Sequence, residues 1–435
     1  MAEKVRYYLE QSVPELEDLK RKGLFDKGEI TMIMRRRTDF EHRITGRGAK
    51  PRDFLKYTEF ETNLEKLRKK RYVRLSRAGL IETKPSISDW AGMRRVLFVF
   101  DRATRKFPGD LNIWGSYLRF ARKNGAIKVI YRAYTRLLQL QPRNVDAWIS
   151  AAKYEFEDNA NAKGARTLLQ KGLRFNPESM TLWLSYAKFE LAYITRLLAR
   201  RRVLGLITEK QQQEQMDSEQ QDVAKSVESS ANLAIDEPDH TSDKIVLPSV
   251  TNEDLREELN QLPEADINML GNPDTNPALR GNVVLAVFDV AMPSLLKTMP
   301  SDEFNAARKV DRAYEIAHEF LAVFDQFTEL DRPYLSGHVV DYLNQELPND
   351  ARTKMLDVVL PLRTMSFDDN EFATTLQFVV NKFIAYKSKM QEQAQKDDFT
   401  AMFTTYLQER FLQSDPQPTE RIQTLLQAII KKVRN

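Results

Sequence analysis

The chain has 435 residues, 42% hydrophobic and 29% charged, enough for one long helical array or two to three compact domains. It has no cysteine, which excludes disulfides, thiolate metal sites and thiol nucleophiles and suits a reducing compartment. A net charge of +4 conceals a lopsided distribution: residues 1–207 hold 44 Lys and Arg against 23 Asp and Glu, residues 208–282 hold 5 against 17, and residues 283–435 hold 17 against 22. A basic first half points to a polyanion or an acidic partner, unless these charges only solvate helix faces. Met1 to Gln11 are charged and lack an apolar core, so no secretory signal is expected. No apolar run approaches the roughly 20 residues that span a bilayer.

Residues 1–50 read as an N-terminal helical segment of two helices. Leu9, Val13, Leu16 and Leu19 share one face, with Pro14 as a break or first-turn residue and Gly23 as the stop. Asp26, three residues before Glu29, offers a capping-box start for the second helix. Its apolar face is Ile30, Ile33, Met34 and Ile44, with Phe40 beside it, and Gly46 and Gly48 end it.

From residue 51 to 207 the chain repeats itself. Trp114, Trp148 and Trp183 recur at intervals of 34 and 35 residues, each six residues after a proline (Pro108, Pro142, Pro177). Two positions after each proline stands a capping type: Asp110, Asn144 or Ser179. A period in this range marks helix-turn-helix units that bury their apolar faces by stacking on one another. The first helix of each unit carries an aromatic stripe. It is Trp114, Tyr117 and Phe120 in one unit and Trp183, Tyr186 and Phe189, then Glu190, in another. Trp148 is followed by Ala151, Tyr154 and Glu155, and an earlier degenerate unit shows Phe54, Tyr57, Phe60 and Glu61. Regular spacing across units is what packing requires, so Phe54, Tyr57, Trp114, Tyr117, Trp148, Trp183 and Tyr186 are expected to form the repeat core rather than a stacking surface for a ligand. Arg102, Arg136 and Lys171 each precede the next proline by six, and proline closes the second helix. Trp90 is out of register and is assigned to the start of a helix after Pro85 and Ser86.

The helix that holds Trp183 is expected to run to Leu206. Residues 208–282 then lose all aromatic residues and gain Gln, Ser, Asp, Glu and five prolines from Pro238 to Pro277, which reads as an acidic, mostly disordered linker with room for a short helix at Glu253–Leu262. Residues 283–435 resume helical periodicity as degenerate repeats. Val287, Phe288 and Ala291 precede Pro293 like the second helix of a unit, and Phe304 to Phe324, Val339 to Leu347 and Phe372 to Tyr386 suggest further helices. Ile422, Leu425, Leu426, Ile429, Ile430 and Val433 form a stripe that seals the array or docks on another subunit.

Chemistry is hard to find. The four histidines, His42, His240, His318 and His338, are far apart and lack partners at metal-ligand spacing. No nucleophile elbow, phosphate loop or dinucleotide fingerprint occurs, so no enzyme, cofactor or metal is expected. The strongest interaction element is basic. Lys66, Arg68, Lys69, Lys70, Arg71 and Arg74 fall in one helix and could neutralise phosphates or meet an acidic partner; Arg35 to Arg37 and Arg200 to Arg202 are shorter runs. No RNA-binding fold signature accompanies them.

The aromatic first helix, its acidic residue and the closing proline resemble half-a-tetratricopeptide (HAT) repeats, although Ala151 replaces the usual tyrosine. The opening narrows the likeness. Tyr8-Leu9-Glu10, Pro14-Glu15-Leu16, Lys22-Gly23-Leu24-Phe25, Arg37-Thr38-Asp39-Phe40-Glu41-His42 and Asp53-Phe54-Leu55-Lys56-Tyr57 resemble the U3 small nucleolar RNA-associated protein 6 family over roughly the first 200 residues. The resemblance implies an all-α fold, a right-handed α-solenoid of HAT repeats with an acidic disordered insertion. It further implies a nucleolar, non-catalytic scaffold of the small-subunit processome, supporting U3-dependent pre-rRNA processing and 18S rRNA maturation. Implied partners are WD-repeat β-propeller subunits, with U3 small nucleolar RNA and pre-rRNA in the same particle and one copy of this chain per hetero-oligomer. A HAT scaffold of splicing or polyadenylation, or a direct RNA-binding module, are the alternatives.

Overall fold

A computed structural model describes residues 2–79, 85–203, 276–297, 306–365, 371–390, 392–412 and 420–434. Every element there is helical, and the fold is an α-solenoid of helix-turn-helix repeats. It divides into two compact units, Met1–Ala151 and Ala152–Asn435.

The first unit opens with α1 (Ala2–Glu10), α2 (Val13–Arg21) and α3 (Lys27–Thr45), so the N-terminal segment holds three helices where the pattern suggested two. Pro14 is the reason. It sits in the first turn of α2, where its missing N–H is harmless, but it could not have continued α1. Gly23, at φ +65, ends α2, and the Leu24 N–H returns to the Leu19 carbonyl at 3.1 Å. The Asp26 N–H donates to Glu29 Oε2 at 3.0 Å at the start of α3. Then come α4 (Pro51–Arg77), α5 (Ser88–Lys106), α6 (Leu111–Lys123), α7 (Ile127–Leu140) and α8 (Val145–Glu157), in which the division between units falls. Antiparallel neighbours pack in sequence: α3 on α4, α4 on α5, α5 on α6 and α6 on α7, while α1 lies on α3 and α2 on α5. Leu16, Leu19, Leu24, Phe25 and Ile33 form one buried cluster, against which Leu64, Tyr72 and Leu75 of α4 pack.

The second unit continues with α9 (Ala162–Phe175) and α10 (Met180–Val203); the expected end of this helix at Leu206 lies outside the described residues. It resumes with α11 (Asn282–Leu296), α12 (Ala306–Asp325), α13 (Arg332–Glu346), α14 (Ala351–Arg363), α15 (Phe372–Lys389), α16 (Gln393–Leu407) and α17 (Glu420–Arg434). Helix α11 packs directly on α10, so the two are the arms of one hairpin. The acidic linker expected at 208–282, the helix at Glu253–Leu262, His240 and Phe304 lie outside the described residues, apart from residues 276–282, which form a turn and the first residue of α11. Pro293 does not close a repeat: it lies inside α11, which continues to Leu296. The final stripe is used within the chain. Leu426, Ile430 and Val433 are buried in a cluster with Leu362, Val379, Phe383 and Phe403, and Ile422 and Ile429 pack against it.

Candidate nucleic-acid interface

The residues read as repeat core, Phe54, Tyr57, Trp114, Tyr117, Trp148, Trp183 and Tyr186, are all buried. The six-residue interval from proline to tryptophan has a physical cause. Trp114 Nε1 donates to the Pro108 carbonyl at 2.9 Å, Trp148 Nε1 to Pro142 at 2.8 Å and Trp183 Nε1 to Pro177 at 2.9 Å. Each indole thus buries its ring inside a hairpin and holds the turn that opens its own helix. The cap residues complete the turn: Asp110 accepts from the Asn112 N–H at 2.9 Å and Asn144 Oδ1 from the Ala147 N–H at 3.2 Å. Ser179 meets Thr181 through their hydroxyls at 3.0 Å. Trp90, by contrast, is 43% exposed on α5.

The glutamates that follow the aromatic stripes are also structural. Arg37 Nε and Nη2 donate to the two carboxylate oxygens of Glu61 at 2.8 and 2.9 Å, and Arg166 Nε and Nη2 to those of Glu190 at 2.7 and 2.9 Å. Each arginine precedes its glutamate by 24 residues, and each glutamate follows Tyr57 or Tyr186 by four. The same fork therefore recurs in two repeats, one in each unit. In the unit of Tyr117 the corresponding positions hold Leu97 and Ala121, an apolar replacement of both partners. Glu155 instead accepts from Asn161 Nδ2 at 3.0 Å. Arg37 is completely buried and also bonds Glu15, which Arg95 reaches from α5. Burial pushes the Glu15 carboxyl up, but the Arg37 and Arg95 guanidiniums hold it below the usual carboxylate range. Burial opposes the charge of Arg37 too, and Glu61 and Glu15 more than restore it. Glu41 makes a similar partly buried pair with Arg102, whose guanidinium lies 4.2 Å from the Tyr8 ring.

The six predicted basic contacts divide into two groups. Lys66, Lys69, Lys70 and Arg74 are exposed on α4. Arg68 is not a surface cation: it is buried, with bonds to Glu65 at 2.8 Å and Asp89 at 3.0 Å. Arg71 bonds both oxygens of Glu29 at 2.8 Å and the Leu24 carbonyl at 2.9 Å. Arg68 lies seven residues after Glu61, on the buried stripe of α4, and Arg71 lies toward α3, so their charges are spent inside the unit. The run at 35–37 splits the same way, with Arg35 and Arg36 exposed and Arg37 interior. The side chains of Arg200 to Arg202 lie outside the described residues. Further exposed cations, Arg43 and Arg47 of the α3 end and Arg52 and Lys56 of α4, were not singled out by density because they are spread at helical intervals.

Among the described residues no group of three or more His, Asp or Glu is placed to hold a metal ion. No described helix is long and apolar enough to cross a membrane. His42 is exposed and lines an open groove of about 540 Å³ between α1 and α3 with Arg6, Leu9 and Met34. His338 Nε2 is 2.8 Å from Asp289 Oδ1. Burial, and then the charge of Arg363, hold His318 below the usual imidazole range.

Two family models match this chain: U3 small nucleolar RNA-associated protein 6 over residues 9–95 and PRP39 N-terminal HAT repeat over residues 96–229. U3 small nucleolar RNA-associated protein 6 of Schizosaccharomyces pombe is 46% identical over 204 residues, 47% of this chain and 41% of that protein. The homologues of that protein in Mus musculus and Homo sapiens are each 34% identical over 197 residues, 45% of this chain and 32% of theirs. The matched region spans less than half the length of these relatives.

Proposed function

We propose, from the premise that this chain belongs to the U3 small nucleolar RNA-associated protein 6 family, that it is a non-catalytic scaffold subunit of the small-subunit processome. It acts in the nucleolus, as one copy in a hetero-oligomer that contains U3 small nucleolar RNA and pre-rRNA, and supports 18S rRNA maturation. The observation that carries this reading is the 46% identity to the Schizosaccharomyces pombe protein over 204 residues, together with the family-model match over residues 9–95. The geometry supports the scaffold role. Arg37 and Tyr57 of the first unit, whose ionisation their buried surroundings shift, are packed in the interior and do not line an open cleft. Stacked hairpins offer extended faces, and these fit a peptide segment from a neighbouring subunit, which we take to be a WD-repeat β-propeller protein.

The match of residues 96–229 to the PRP39 N-terminal HAT repeat favours a second reading, a scaffold of another RNA-processing complex. Depletion of the protein in cells of its source organism separates the two. A fall in 18S rRNA with large-subunit rRNA maintained is expected; normal 18S rRNA with defective splicing or polyadenylation would transfer the assignment to the second reading.

A further inference from the structure

Some exposed cations of the first unit, such as Arg6, Arg21, Lys69 and Arg105, pair with a carboxylate on their own helix. The cations that point inward (Arg37, Arg68, Arg71, Arg95 and Arg102) are each bonded to a carboxylate. Arg36, Arg43, Arg52, Lys56, Lys70 and Arg74 are exposed, and among the described residues none of them has a carboxylate within ion-pairing distance. These six share one face. Helices α3 and α4 are joined where Phe40 stacks on Tyr57 at 5.0 Å and meets Phe60 at 5.6 Å, and where Arg71 bonds Glu29. Residues three or four apart on a helix are neighbours. Arg36 and Arg43 flank Phe40, Lys56 precedes Phe60 by four, Arg74 follows Arg71 by three, and Arg52, Lys56 and Lys70 repeat at four and fourteen residues. The row from Arg52 to Arg74 is about 33 Å long at 1.5 Å per residue. Acids are few here but present: Glu59, three residues after Lys56, is exposed within the row, Asp39 is exposed on α3, and Asp53 is occupied by the Lys50 N–H at 2.9 Å. The rings of Phe40 and Phe60 are half-buried between the helices, so the described part of this face carries no fully exposed aromatic ring.

We propose that the α3–α4 face binds the phosphate backbone of double-helical RNA. A long row of unpaired cations neutralises phosphates and releases counterions. Recognition of single strands relies on fully exposed rings for base stacking, which this face lacks, whereas an RNA duplex is held by backbone and shape. An acidic protein segment is the competing occupant. The inference deepens the RNA-particle reading above, and it is tested on the purified full chain so that each can fail alone.

The probe is a labelled RNA duplex of about 16 base pairs and arbitrary sequence, titrated by fluorescence anisotropy at several salt concentrations. The triple variant Lys56→Glu/Lys70→Glu/Arg74→Glu should bind at least about tenfold more weakly and lower the salt slope by about 2 to 3. The control variant Arg119→Glu/Lys123→Glu/Lys128→Glu makes the same charge change at exposed positions of α6 and α7 and should stay within about threefold of the wild type. If the triple Glu variant loses helical signal, the Gln triple at the same positions replaces it, with the same direction expected. Equal losses in both variants, an unchanged slope, or a preference for a poly-glutamate competitor over the duplex would overturn the proposal. A chain that binds duplex RNA but does not co-purify with U3 would remove the processome assignment and leave this face intact.

Discussion

Replacing Arg37 by Met strands a carboxylate in the interior of the first unit. Arg37 is fully buried, Glu61 is 1% exposed and Glu15 is 5% exposed. Without the guanidinium, Glu15 keeps its bond from Arg95, but Glu61 is left with Arg95 Nε at 3.8 Å. Removing one partner of a buried pair costs about 3–5 kcal/mol, because the remaining charge is neither solvated nor compensated. Replacing both partners by apolar groups of similar volume is far less costly, and the Leu97 and Ala121 positions of the next repeat already carry that solution. The double variant Arg37→Met/Glu61→Leu should therefore recover all but about 1–2 kcal/mol. Hydrogen exchange of peptides from α3, α4 and α5, measured across a urea series, is the suitable assay, because the chain has two compact units and a global midpoint would mix them. A single variant within about 1 kcal/mol of the wild type, or a double variant no better than the single, would refute this reasoning.

Other outcomes follow from the same geometry. Trp183→Phe removes the bond to the Pro177 carbonyl and part of a buried ring, and should cost about 2 kcal/mol in the exchange protection of α10; Trp90→Phe, at an exposed position, should stay within about 0.5 kcal/mol. Gly281→Ala forces a side chain into φ +99 with its Cβ 2.8 Å from Leu335 Cδ2, and should lower urea resistance of the α11–α13 region by about 1–3 kcal/mol. Burial raises the Asp18 carboxyl, but bonds from Ser86, Ser88 and Arg21 outweigh it and hold the group at about 2. Its contribution is complete above 3.8, the ordinary value, and is lost as pH falls toward 2. Protection where α2 meets α5 should therefore decline in that window, and Asp18→Asn should flatten the decline.

Part of the fold was legible because proline and tryptophan mark three successive hairpins at fixed positions. The reason for their interval was not, since it depends on where a turn brings a carbonyl beneath an indole. The break between α1 and α2 was hidden by a periodic pattern that runs through it, and only Pro14 signalled it. At the interface, density misled. Lys66 to Arg74 looks like one basic run, yet a helix turns each residue 100° from the last, so Arg68 and Arg71 face inward while Lys70 and Arg74 face outward. The 24-residue interval from Arg37 to Glu61, repeated from Arg166 to Glu190, was present in the sequence and would have flagged the interior arginines. That α11 pairs with α10 was unreadable, because more than 70 residues interrupt the period between them.

Affinity purification of the tagged full chain from cells, followed by identification of the bound RNA, tests the central claim most directly. Enrichment of U3 small nucleolar RNA and pre-rRNA over other small RNAs is the expected result. Recovery of spliceosomal RNAs with U3 at background would contradict it.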